Sequence, residues 1–132
     1  MITMLMSVGA GGAFGAMARY LIGAVLTERF GVSSWVGTIV VNIAGCMFMG
    51  CLAALMASSG ALSPHLRGFL AVGFLGALTT FSSYTLDGHG FWMRDELLSG
   101  FLYLSASVIL SLGGFMLAYA GMRLAMEGGA WN

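Results

Sequence analysis

The chain has 132 residues, of which 59% are hydrophobic and 8% charged, and its five basic side chains balance five acidic ones. A soluble domain carries about 25% charged residues, so this composition excludes a water-soluble globule. No nucleic-acid partner is expected.

Uncharged runs mark the spans. They extend from Met1 to Ala18, Phe30 to Pro64, Gly68 to Leu86 and Leu97 to Met122. A helix crossing the hydrocarbon needs roughly 20 apolar residues. The sequence therefore predicts an all-α membrane protein, one four-helix transmembrane domain over residues 1–132, with short loops. The N-terminus lacks a basic leader and its apolar run continues past any plausible cleavage point, so no cleaved signal is expected.

The first span is predicted from Ile2 to about Leu26. Gly9, Gly12 and Gly15 recur at every third position, and Gly11 with Gly15 forms a GxxxG pattern. Small residues on one face let a second membrane helix approach closely. Arg19 lies inside this hydrophobic segment, where a guanidinium costs about 2.5–3.5 kcal/mol. Three readings stand: it snorkels to the nearby end of the span, it holds loop carbonyls, or it lines a wet vestibule. A first loop with Glu28, Arg29 and Gly31 follows, and Trp35 marks the interface.

In the second span Thr38, Asn42 and Gly45 share one helical face. Asn42 is the one side-chain amide inside any span, and a buried amide must find a partner. It either bonds a neighbouring helix or donates into a pore. Cys46 and Cys51 fit no metal-ligand spacing and read as small packing residues. The second loop, Ser58 to Leu66, holds Ser-Ser-Gly, Pro64 and a solvated His65.

The third span changes character along its length. Gly73-Phe74-Leu75-Gly76 is apolar, but from Thr79 to Thr85 every residue except Phe81 carries a hydroxyl. This composition predicts a helix that breaks near Thr79–Ser83. Irregular backbone at that depth needs protein or a wet cavity around it, so the segment reads as the lining of a path. Phe81 and Tyr84, three apart, share a face and are either core or part of that lining. A third loop is predicted from Asp87 to Glu96, with Asp87 and His89 in a solvated turn and Trp92 at the interface. In the fourth span, Leu97 to about Met122, Tyr103, Ser107 and Ser111 recur at every fourth position. Their hydroxyls either bond their own backbone or form a polar track. Trp131 in the tail is read as an interfacial anchor.

Charge bears on orientation. An even number of spans puts both termini on one side. Arg67 and Arg123 then flank that side, and Arg29 and Arg94 flank the other, with Arg19 near the second. Excess basic residues in cytoplasmic loops normally set orientation. So near a balance permits insertion both ways, and with it an antiparallel homodimer; the alternative is a single orientation set by the slight excess.

No predicted span contains Asp, Glu, Lys or His. Proton-coupled transport and hydrolysis both need titratable or metal-bound groups, so an enzyme is not expected. What remains is neutral donors and ring edges: Asn42, the hydroxyls of the third span, Phe81, Tyr84, Tyr103, Ser107 and Ser111. Amide N–H groups, hydroxyls and the positive rims of aromatic rings suit an anion. Neutral donors replace enough of its water for entry without trapping it.

Gly12-Ala13-Phe14-Gly15-Ala16-Met17-Ala18-Arg19-Tyr20, then Gly37-Thr38 with Val41-Asn42 and Gly45, then Gly73-Phe74-Leu75-Gly76 with Thr79-Thr80-Phe81-Ser82-Ser83-Tyr84 resemble the Fluc (CrcB-type) fluoride channels. Length and span number agree. The resemblance implies passive, fluoride-selective export through two pores of an antiparallel, dual-topology homodimer in the cell inner membrane. It implies a fluoride pathway of Asn42, Thr80, Phe81, Tyr84, Tyr103, Ser107 and Ser111, with Phe81 in an aromatic box and Arg19 in a vestibule. It also implies a structural sodium ion at the dimer centre, held by the backbone carbonyls of Gly76 and Thr79 from both copies. One departure is Tyr84, where the family usually has phenylalanine; its hydroxyl would donate to fluoride or to a neighbour. The rivals are a small multidrug-type exporter, which needs an intramembrane acid, and a non-conducting assembly subunit of a larger membrane complex.

Overall fold

A computed structural model describes residues 1–59 and 62–128. Gly60 of the second loop and the proposed anchor Trp131 lie outside the described residues. The described chain is helical throughout: α1 (Ile2–Phe30), α2 (Ser34–Ser59), α3 (Pro64–Arg67), a π-helical segment (Gly68–Leu75), α4 (Gly76–Leu78), α5 (Phe81–Met93) and α6 (Leu97–Gly128). Four helical stretches, Ile2–Phe30, Ser34–Ala57, Pro64–Met93 and Leu97–Gly128, are long and apolar enough to cross a membrane.

Local chemistry sets the boundaries. Gly31 ends α1 in the left-handed conformation at φ 64°, which costs glycine nothing; its N–H returns to the Thr27 carbonyl and the Val32 N–H to the Leu26 carbonyl. Ser63 caps α3, with Pro64 at the first helical position.

Three of the helices run further than the uncharged runs suggest, α6 continuing past Met122 to Gly128. The first continues past Leu26 to Phe30, so Glu28 and Arg29 are helical rather than looped. The larger correction concerns Asp87 to Met93, read as the start of a loop. These residues form the last two turns of α5, and only Arg94, Asp95 and Glu96 turn the chain into α6. Charge marks where a helix leaves the hydrocarbon and not where its hydrogen bonds stop.

α1 lies along the π-helical segment and α4, α2 lies along α6, and α5 packs on α6 and α2. Gly11 and Gly15 are buried, and a Cβ at either would run into the Phe69 or Phe74 carbonyl. Across the contact a Cβ at Gly73 would meet the Gly11 Cα at 2.9 Å. The GxxxG pair therefore makes the contact, whereas Gly9 and Gly12 face open space. The sealed core is small, with Val41, Leu52, Leu75 and Leu78 at its centre. Large apolar side chains such as Leu5, Leu21, Phe101 and Leu117 point outward, as hydrocarbon surroundings allow.

Candidate functional site

Helical backbone stops at Leu78 and resumes at Phe81. Between them Thr79 (φ −77°, ψ 154°) and Thr80 (φ −149°, ψ 120°) are extended. Side chains hold these two residues. Thr79 donates both its N–H (3.1 Å) and its hydroxyl (2.9 Å) to the Leu75 carbonyl. Its methyl group fills the space left by the missing side chain of Gly45. Thr80 is gripped at both polar atoms by Asn42, whose Oδ1 accepts the Thr80 N–H at 2.7 Å and whose Nδ2 donates to the Thr80 carbonyl at 3.0 Å. The Thr80 hydroxyl then caps α5, accepting the Ser83 N–H at 3.1 Å and donating to Ser83 Oγ at 3.1 Å.

Beside Thr80 opens a cavity of about 300 Å³ lined by Asn42, Cys46, Thr79, Thr80, Phe81, Tyr84, Ser107, Val108, Ser111 and Leu112. Six of the seven residues proposed for an ion pathway meet here, on α2, α5, α6 and the extended residue Thr80. None of the lining side chains is charged. Ser107 is only 3% exposed, and among the described residues neither Ser107 nor Ser111 has a hydrogen-bond partner. Their hydroxyls are not spent on their own backbone, which removes that reading. Asn42 makes the interhelical bonds of the first reading and also lines the cavity. Its amide bonds the third span, and because an amide nitrogen carries two hydrogens and Thr80 takes one, one N–H remains.

The aromatic side chains divide by what their polar atoms do. Phe81 is 74% exposed, and its ring centroid lies 5.2 Å from that of Tyr84. Tyr84 donates its hydroxyl to the Leu104 carbonyl at 3.0 Å. The extra hydroxyl at this position therefore bonds a neighbour, and only the ring is left to the cavity. Tyr103 stands apart. It is 4% exposed, does not line the cavity, and packs on Tyr84, Trp35 and Phe91. Its hydroxyl donates to Asp87 Oδ2 at 3.1 Å.

The Tyr103–Asp87 bond exposes what sequence reasoning missed. Asp87 is half-buried on α5, so the third helical span does carry an acid, and His89 stands on the same helix. A tyrosine about two turns into the fourth predicted span, and an acid just beyond the end of the third, were the available signal. Tyr103 instead lines a second cavity with Trp35, Phe91, Glu96 and Ser99.

Arg19 and Gly76 also lie outside the main cavity. Arg19, half-buried, lines a smaller one of about 90 Å³ with Ser34, Thr38, Thr80 and Ser83. Thr80 borders both this cavity and the larger one. The Gly76 carbonyl and the Thr79 carbonyl have no donor among the described residues. No group of three His, Cys, Asp or Glu that could hold a metal occurs among the described residues.

Over residues 6–122 the chain matches the family described as CrcB-like protein, Camphor Resistance (CrcB). It is 38% identical over 125 residues to the fluoride-specific ion channel FluC of Stutzerimonas stutzeri (strain A1501), covering 95% of this chain and 98% of that one. It is 43% identical over 121 residues to the protein of that name from Chlorobium phaeobacteroides (strain BS1), covering 92% and 91%. It is 45% identical over 107 residues to another from Paracoccus denitrificans (strain Pd 1222), covering 81% and 84%.

Proposed function

The chain belongs to the CrcB-like family, and from that premise we propose that it is a fluoride-selective ion channel and not an enzyme. It is a multi-pass membrane protein, and we place it in the cell inner membrane, where export relieves the cytoplasm of fluoride that enters as HF. The observation that carries the reading is the uncharged cavity in which two unpartnered serine hydroxyls, an amide and aromatic rings converge.

Moving a bare ion into low dielectric has an idealised cost of order 20 kcal/mol, so each water lost must be replaced. Ser107 and Ser111 supply O–H donors, Asn42 supplies its remaining N–H, and Phe81 and Tyr84 supply the positive rims of their rings. All are neutral, so the ion is solvated without being trapped by an opposite charge. The flow is passive: no acid or base lines the cavity. Arg19, on the far side of Thr80, raises the local anion concentration at a vestibule.

The working unit in this reading is an antiparallel homodimer with two pores. The near balance of arginines supports it, as does the exposure of the Phe81 ring, which a second copy would cover. The third helix is broken within the membrane for function, since the extended Thr79 and Thr80 fall at the middle of the Pro64–Met93 stretch. A sodium ion at the dimer centre fits the donors present: among the described residues the Gly76 and Thr79 carbonyls receive no hydrogen bond, and carbonyl oxygens suit a hard cation. Two per protomer are too few for one ion, so both copies would contribute. The ion would supply charge that ties the two copies together.

The test is efflux from liposomes loaded with fluoride, read with a selective electrode, with chloride and proton controls. Fluoride release without chloride release or proton coupling is expected. Purified protein that releases no fluoride would mark it instead as a non-conducting subunit.

A further inference from the structure

In an unbroken α-helix the Thr80 N–H would bond the Gly76 carbonyl, and the Ser83 N–H would bond the Thr79 carbonyl. Here both amides are diverted by side chains. Asn42 Oδ1 takes the Thr80 N–H at 2.7 Å, and the Thr80 hydroxyl takes the Ser83 N–H at 3.1 Å. The bond from Asn42 Nδ2 to the Thr80 carbonyl, 3.0 Å, keeps that peptide from turning back into the helix. The contrast with Leu75 is sharp: its carbonyl receives two bonds from Thr79, while those of Gly76 and Thr79 receive none among the described residues. An unpaired carbonyl in mid-span costs several kcal/mol if left dry. The C-terminal end of a half-helix is also the negative end of its dipole. Unwound carbonyls in broken membrane helices are where alkali cations bind.

We propose that Asn42 and the Thr80 hydroxyl are positioning residues for a monovalent cation, because they divert the two amides that would otherwise occupy the Gly76 and Thr79 carbonyls. The proposal rests on the sodium reading above and adds the side chains that create its ligands. It also gives Asn42 two duties. The amide that lines the anion cavity is the one that holds the cation's carbonyls free, so the two sites share a bolt.

The experiment measures thermal unfolding of the purified protein against sodium concentration, with N-methylglucamine keeping ionic strength constant. A cation that binds only the folded protein raises the midpoint in a saturable way. Wild type is expected to show that rise. Asn42→Leu and Thr80→Val are expected to need about tenfold more sodium, or beyond, for the same rise, since each returns an amide to its helical carbonyl. Thr80→Ser, which retains the capping hydroxyl, is expected to match wild type. Wild-type sodium dependence in both Asn42→Leu and Thr80→Val overturns the proposal. If Asn42→Leu does not fold, the comparison of Thr80→Val with Thr80→Ser decides alone. If wild type conducts fluoride but shows no sodium-dependent rise, the cation site and this proposal both fall, while the fluoride reading stands.

Discussion

From Pro64 to Leu78 the third span lies against α1 with almost no side chain between the two backbones, at Gly11, Gly15 and Gly73. From Phe81 to Met93 it meets α6 through rings, a phenol and a carboxylate. The first half cannot move without backbone meeting backbone. The second is held by specific polar bonds around a cavity. The difference teaches that one span divides its labour: its first half fixes position, and its second presents rings at that position, beside hydroxyls supplied by α6. The extended pair at Thr79 and Thr80 is the joint between them.

The comparison breaks most visibly at Gly15. A leucine there drives its Cβ into the Phe74 carbonyl. With backbone as the obstacle, the cost should sit at or above the upper end of overpacking, about 3 kcal/mol. Loss of monodisperse protein on size exclusion is expected; normal recovery would show that the first half yields after all.

Phe81→Ile should do the reverse. Phe81 is 74% exposed, so recovery of folded protein should survive while fluoride efflux disappears. Unchanged efflux would remove Phe81 from the pathway. Ser107→Ala comes next. Its hydroxyl has no protein partner among the described residues, so stability should hold. A hydrogen bond to a charged group is worth about 1.5–3 kcal/mol, so efflux should fall about tenfold to a hundredfold. A drop in unfolding temperature with full efflux would reassign Ser107 to packing.

The smallest effect is expected at Tyr84. Tyr84→Phe keeps the ring and loses one bond to Leu104, about 1 kcal/mol of stability. Efflux should fall by less than in Ser107→Ala. A larger fall in efflux than in that variant would mean that the phenol meets the ion.

What the chain alone determined was decided residue by residue. Four stretches cross a membrane because hydrophobicity sums along the sequence and needs no knowledge of neighbours. The hydroxyl-rich run from Thr79 and the four-residue spacing of Ser107 and Ser111 were legible for the same reason. The end of α5 was misread on that logic, since charge at Asp87 said nothing about hydrogen bonds continuing to Met93. Tertiary structure alone decided which polar groups were already committed. Asn42 and Thr80 are 38 positions apart, Tyr84 and Leu104 are 20 apart, and Tyr103 and Asp87 are 16 apart. A hydroxyl has one proton to give, so whether it faces an ion or a neighbour depends on what folding brings within 3 Å or so. Sequence supplied the donors; only the packing of α2, α5 and α6 settled which remain free.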